Sequence, residues 1–138
     1  ECRLHMVQLH GDETPKYCEK IADYISVVKA FRFSETDNIG YRIQEYMSYC
    51  DMFMFDTEGV GYGGTGKKFN LEKLHGVTVG KPYFLSGMIE PGDAAALNEF
   101  AQRQEAKALF AVDISTKFEL MPGIKDINMI KKFTEQLK

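Results

Sequence analysis

The sequence has no apolar run approaching the roughly 18 residues that a membrane-crossing helix needs. Nor does it have a block of clustered Lys and Arg. The formal net charge is −3, with acidic and basic residues interspersed along the chain. Nucleic-acid affinity rests on clustered positive charge, so that class of partner is excluded. Cysteine is scarce: Cys2, Cys18 and Cys50 are widely spaced, with no C-x-x-C or zinc spacing among them. Three reduced thiols in a cytoplasmic protein are expected, and no metal. The first residues, Glu1-Cys2-Arg3-Leu4-His5, include neither an initiating Met nor the n- and h-regions of a signal peptide. They read as the middle of a longer protein. Low-complexity linkers and internal domain breaks are also lacking.

What remains is ordinary globular material: 138 residues, 44% hydrophobic and 27% charged. That length suits one domain with a real core. Short β-branched or aromatic runs alternate with helical stretches. His5–Leu9 reads as a strand ending at Gly11. Thr14-Pro15 opens a helix, Thr as N-cap and Pro in the first turn, running to about Asp23. Ile25–Phe31 is the next strand. A helix is expected from about Asp37 to Ser48, with Ile39, Ile43 and Tyr46 or Met47 at helical spacing. Asp51–Asp56 is a strand, Thr57–Lys68 a Gly-rich loop, and a short helix starts near Asn70. Pro82–Ser86 is a strand; Pro91 opens an Ala-rich helix to about Arg103. Leu109–Ile114 is the last strand. The last helix is capped by Asp126 and turns Ile127, Ile130 and Phe133 inward.

Successive β-then-α units, each about 20–30 residues, give a parallel sheet with right-handed crossovers. Strands apolar on both faces fit a sheet covered by helices. Two α/β folds satisfy this pattern. One is a five-stranded doubly wound sheet. The other is part of a (β/α)8 TIM barrel, which needs roughly 200–250 residues, so that about three strands would be missing.

In both folds, chemistry gathers at the C-terminal ends of the strands. Gln8, His10, Lys29, Arg32, Asp56, Thr57, Ser86, Gly87, Asp113 and Ser115 are expected there. Asp56 ends a hydrophobic run; partial desolvation favours its neutral form and suits general acid work. His10, just past a strand end, is placed to line a pocket. Ser86-Gly87 and Ser115-Thr116 follow neighbouring strands, where small residues let backbone N–H groups approach an anion such as a phosphate. Gly61-Tyr62-Gly63-Gly64-Thr65-Gly66-Lys67-Lys68 matches two nucleotide fingerprints only formally. Lys68 stands where a P-loop needs Ser or Thr, and the run sits too deep in its loop for a dinucleotide turn. A loop closing over a substrate fits better, with Gly63, Gly64 and Gly66 as its mobile points.

In this order, these motifs resemble the phosphoribosylanthranilate isomerase family, over essentially the whole chain. Val7-Gln8-Leu9-His10-Gly11-Asp12-Glu13 resembles the family's fourth strand, and Lys29-Ala30-Phe31 its fifth. Phe55-Asp56-Thr57 with Tyr62-Gly63-Gly64-Thr65-Gly66-Lys67 resembles its sixth strand and loop. Phe84-Leu85-Ser86-Gly87 with Pro91 resembles the seventh. Ala111-Val112-Asp113-Ile114-Ser115, then Glu119 and Pro122-Gly123-Ile124-Lys125-Asp126, resembles the eighth strand and final helix.

The resemblance favours the barrel, with residues 1–138 forming one incomplete domain that carries strands 4 to 8 and lacks the first three βα units. It implies a cytoplasmic enzyme of tryptophan biosynthesis that needs no cofactor. Its substrate is a small phosphorylated aminoaldose, N-(5'-phosphoribosyl)anthranilate, which undergoes Amadori rearrangement to an aminoketose. Asp56 falls at the family's general acid. His10 and Asp113 are implied to bind substrate, and Gly87, Met88, Ser115 and Thr116 its phosphate. The family's base, a Cys in a K-x-C-G setting on the first strand, has no counterpart here, because Cys2 precedes the fourth strand and is followed by Arg3. The Arg that binds the anthranilate carboxylate is also absent, so the chain alone is expected to be inactive. Met88 replaces the family's second Gly after the seventh strand, and Thr116-Lys117 replaces the usual Ser-Gly; backbone amides survive both changes, and Lys117 adds charge. The other readings are a different phosphate-binding barrel of amino-acid biosynthesis, a non-catalytic barrel fragment, and a doubly wound nucleotide binder.

Overall fold

The computed structural model describes residues 3–57 and 68–138. Its main sheet is parallel, with five strands: β1 (Met6–Leu9), β2 (Ser26–Phe33), β3 (Met52–Thr57), β4 (Tyr83–Leu85) and β5 (Leu109–Val112). They pair strictly in chain order. A doubly wound sheet reverses strand order at a switch point; this sheet has none, and the doubly wound alternative falls on that point.

The helices are α1 (Pro15–Ala22), α2 (Ile39–Gln44), α3 (Ala94–Ala101) and α4 (Ile127–Gln136). Their starts follow from local chemistry. The Thr14 side chain accepts from Tyr17 N with Pro15 in the first turn, Asn38 caps Tyr41 N, and Asp126 caps Asn128 N and Met129 N. Single-turn 3₁₀ segments at Leu71–Leu74 and Pro91–Asp93 lead into the fourth strand and into α3. α2 is shorter than the periodicity predicts. Its last hydrogen-bonded turn gives way to turns through Tyr49, and Cys50 N closes on Tyr46 O at 3.2 Å.

Strand alternation sorts side chains onto two faces. Val27, Phe31, Phe33, Phe53, Phe55, Tyr83 and Leu85 join Cys18 of α1, Ile39 and Ile43 of α2, Leu97 and Phe100 of α3, and Phe133 of α4 in one core. Its centre is a ladder of rings, with Phe55 stacked on Tyr83 at 4.8 Å and edge-on to Phe33 at 5.6 Å. The opposite face holds a small cluster of Val28, Ala30 and Met54, with Met52 and Phe84 against it. A hollow of about 350 Å³ opens there, lined by Met6, Gln8, Met54, Phe84 and Asp113 among others.

Three local expectations need correction. β2 runs on through Arg32 and Phe33, so Lys29 lies mid-strand, not at a strand end. Its side chain is 3% exposed and faces the helices. Ile127 points to solvent at 58% exposure, because α4 buries Phe133 and half-buries Ile130 instead. A hairpin of β6 (Glu119–Met121) and β7 (Ile124–Lys125) precedes α4, turning at Gly123 with φ +83°. Cys18 and Cys50 are free and buried. Burial, then the adjacent Cys18, pushes the Cys50 thiol up to about 12. Among the described residues, no helix is long and apolar enough to cross a membrane.

Candidate active site at the strand ends

β3 sends Phe53 and Phe55 toward the helices and Met54 to the other face. Two residues beyond Met54, Asp56 therefore shares its face. Its carboxylate is 13% exposed. Oδ1 accepts from the Thr57 backbone N–H at 2.7 Å, and Oδ2 lies 3.7 Å from His10 Nε2. His10 follows the end of β1. Two residues earlier on the same face, Gln8 brings Nε2 to 3.2 Å from His10 Nδ1 and 3.0 Å from Met54 Sδ. Thr57, the next residue on β3, turns to the helix side. Its Oγ1 is buried, without a hydrogen-bond partner among the described residues.

The turn that carries His10 is held from below. Gly11 N donates to both carboxylate oxygens of Glu13, at 3.1 and 3.0 Å. Lys29 Nζ reaches Gly11 O at 2.8 Å, Ala30 O at 2.9 Å and Glu13 Oε2 at 3.1 Å. Burial works to raise the Glu13 pKa, yet backbone N–H groups and the Lys29 ammonium outweigh it and hold the carboxyl below its ordinary range. Lys29 thus braces the site rather than lining it.

The second half lies after β4 and β5. Ser86 N donates to Phe55 O and Asp113 N to Leu85 O, both at 2.8 Å, so the sheet ladder continues past the strands. Ser86 Oγ donates to Asp113 Oδ2 at 3.1 Å. Gly87 and Met88 both take positive φ, +97° and +54°. Two positive-φ residues in succession turn the backbone away from the extended path. Gly87 is required: a Cβ there would meet Thr57 Oγ1 at 2.8 Å and Phe69 Cβ at 3.0 Å. Thr116 Oγ1 approaches Met88 Sδ at 3.7 Å, which brings the two loops together. Lys117 pairs with Glu90 at 3.1 Å; Lys125 Nζ pairs with Glu119 at 2.7 Å and also donates to Ser115 Oγ at 3.2 Å.

The structure therefore gathers the residues in two touching corners. His10 and Asp56 form one; Gly87, Met88, Asp113, Ser115 and Thr116 form the other. The seam between them is narrow: a Cβ on Gly87 would lie 3.3 Å from Asp56 Oδ1. Gly63, Gly64 and Gly66 lie outside the described residues. No group of three or more His, Cys, Asp or Glu able to hold a metal occurs among the described residues. Sequence reasoning placed Gln8 at a strand end without assigning it a partner, and it passed over Lys125. For Gln8 the signal was available, since a spacing of two on a strand puts it on the face of its neighbour His10.

Comparison with known proteins finds relatives over nearly the whole chain. The family model for N-(5'-phosphoribosyl)anthranilate (PRA) isomerase matches residues 1–136. The N-(5'-phosphoribosyl)anthranilate isomerase of Phocaeicola vulgatus is 37% identical over 139 residues, covering 100% of this chain and 65% of the relative. That of Parabacteroides distasonis is 36% identical over 136 residues, covering 98% of this chain and 59% of the relative. Among solved structures, phosphoribosyl anthranilate isomerase from Thermotoga maritima superposes with a TM-score of 0.78 at 32% identity, over 97% of this chain and 62% of that one. The Thermus thermophilus structure shares the fold, with a TM-score of 0.76 at 21% identity. The chain thus spans 65% and 59% of the length of these two curated relatives.

Proposed function

The chain belongs to the N-(5'-phosphoribosyl)anthranilate isomerase family, and from that premise we propose that it forms βα units four to eight of a (β/α)8 barrel and supplies the acid and phosphate halves of an Amadori isomerase. Residues 1–138 are then one incomplete barrel domain, and the hollow lined by Met54 and Phe84 is the inner side of the barrel wall. The observation that carries this reading is the placement of Asp56. A largely buried carboxylate at a strand end faces an imidazole on one side and a positive-φ loop on the other.

Asp56 gives a proton to the ring oxygen of the phosphoribosyl group while the anthranilate nitrogen pushes its lone pair toward C1. The C–O bond breaks and a protonated Schiff base forms. A base from the preceding units, the Cys that the resemblance implies, then takes the C2 proton. The resulting enolamine tautomerises to the ketose. The backbone amides of Gly87-Met88 and Ser115-Thr116 hold the 5'-phosphate, with the Lys125–Glu119 pair beside Ser115. His10 and Asp113 line the sugar. No step calls for a cofactor.

Steady-state kinetics on phosphoribosylanthranilate tests this. In the complete protein, Asp56→Asn should lower kcat by about 10²–10⁴-fold, the usual weight of a positioned proton donor, with KM little changed. Residues 1–138 alone should give no turnover. A near-normal rate in the Asn variant, or robust turnover by the 138-residue chain, overturns the assignment.

A further inference from the structure

His10 faces the carboxylate of Asp56 without a hydrogen bond to it. Its Nε2 is shielded from solvent and has no hydrogen-bond partner among the described residues, and it lies 3.7 Å from Asp56 Oδ2. A buried ring nitrogen without a partner is uncommon enough to require a reason. What Nε2 does to Asp56 depends on its proton. With a hydrogen on Nε2, the ring presents a positive edge to the carboxyl group and has no lone pair there. Without one, Nε2 is a base that accepts whatever proton Asp56 carries.

Gln8 decides between these states. Its amide approaches His10 Nδ1 at 3.2 Å and Met54 Sδ at 3.0 Å through the same atom. Sulfur and an unprotonated Nδ1 are both acceptors. An amide oxygen in that place would press lone pairs against the sulfur, whereas the amide NH₂ carries two hydrogens for its two neighbours. Gln8 therefore donates to Nδ1, and the neutral ring must hold its hydrogen on Nε2, toward Asp56.

We propose that Gln8 is a positioning residue that fixes His10 in the Nε2–H tautomer, and that this tautomer keeps the Asp56 proton available to substrate. The inference rests on Asp56 being the general acid. In this tautomer His10 cannot take the proton of Asp56, so the acid's hydrogen points to the sugar ring oxygen. Once it is transferred, the Nε2–H dipole faces the new carboxylate and stabilises it. In the opposite tautomer the imidazole competes with the substrate for the same proton.

The test has two readouts on the complete protein. With ¹⁵N-labelled histidine, long-range ¹H–¹⁵N correlation spectra report the tautomer of the neutral ring directly. Wild-type His10 should carry its hydrogen on Nε2. Gln8→Glu places a carboxylate acceptor at Nδ1 and should move the hydrogen there; Gln8→Met removes the donor and should give a mixture. In steady-state kinetics Gln8→Glu should lose about tenfold or more in kcat with KM nearly constant, a share of what the acid itself contributes. Gln8→Met should fall between it and wild type. A wild-type ring protonated on Nδ1 overturns the proposal with no variant needed. So does a Gln8→Glu protein whose tautomer switches while kcat holds. If wild type shows the expected tautomer but no isomerase activity, the tautomer assignment stands, and it is the functional reading above that fails.

Discussion

The two faces of the sheet are made from alternate residues of the same strands, yet they do different work. On the helix side, Phe53, Phe55 and Tyr83 are each 0% exposed and form part of a continuous stack of rings. On the other side, Val28, Ala30 and Met54 make a thin cluster, Phe84 is half-buried, and its neighbour Phe110 is 65% exposed. Asp56, Gln8 and Asp113 belong to this thin side. Stability is concentrated on one face and polar chemistry on the other. A single strand can serve both because its side chains alternate with a period of two.

This contrast can be tested by substitution. Phe55→Ala should have the largest effect, about 3–5 kcal/mol by denaturant titration, since it empties a fully packed position. Phe84→Ala on the same wall, half-open to the hollow, should cost only about 1 kcal/mol. Similar losses at the two positions would erase the distinction between the faces.

Lys29 is the exception that sharpens the comparison, a charge on the apolar side. Lys29→Met should cost about 2–3 kcal/mol, because the carbonyls of Leu9, Gly11 and Ala30 lose a donor and Glu13 loses its cation, although Glu13 keeps some contact with water. The same pair sets an acid limit. The folded-state pKa of Glu13 lies below its ordinary value. Its contribution is therefore complete above the unfolded pKa, about 4.5, and is lost as pH falls through the lower folded value. Urea midpoints measured downward from about pH 5 should drop less steeply in Lys29→Met than in wild type. Equal slopes would mean that the Glu13 carboxylate draws nothing from Lys29.

The turn after β4 separates two neighbouring positions. Gly87→Ala should destabilise by about 1–3 kcal/mol, through both its positive φ and its contact with Thr57 and Phe69. At the next position the sign reverses. Met88→Gly should be neutral or stabilising by up to about 1 kcal/mol, as a strained left-handed residue is relieved at some cost in unfolded-chain entropy. Thermal melts of the two variants should move in opposite directions or differ clearly in size.

The strands were readable because each is a short β-branched or aromatic run bounded by turn residues; only their ends moved. β2 gained Arg32 and Phe33, and this displaced Lys29 from the site to the core, since a residue's face is fixed by its register with neighbouring strands and not by its own run. The β6–β7 hairpin was missed although Pro122-Gly123 is a turn signal, because strands of three and two residues carry no periodicity. Asp56 and His10 could be picked out as polar groups closing apolar runs. The Gln8–His10–Asp56 line could not, since it depends on distances between β1 and β3, which are not adjacent in the sheet. The resemblance pointed to the loop we propose for the phosphate but could not foresee that Lys117 would pair with Glu90, or that Lys125 would pair with Glu119 and reach Ser115.

Strand order has one further consequence, for how the chain reaches its fold. The pairings Met6↔Ser26, Val28↔Met52, Phe53↔Tyr83 and Tyr83↔Leu109 span 20, 24, 30 and 26 residues of sequence. Loop-closure entropy grows only with the logarithm of length, so these steps differ by a few tenths of a kcal/mol. No single closure dominates, and no pairing must wait for the far end of the chain. Assembly can start at any adjacent couple and extend in either direction, one βα unit at a time, as a zipper does. A polypeptide built this way tolerates interruption between units better than within them, and two pieces divided at such a boundary keep every contact internal to each piece.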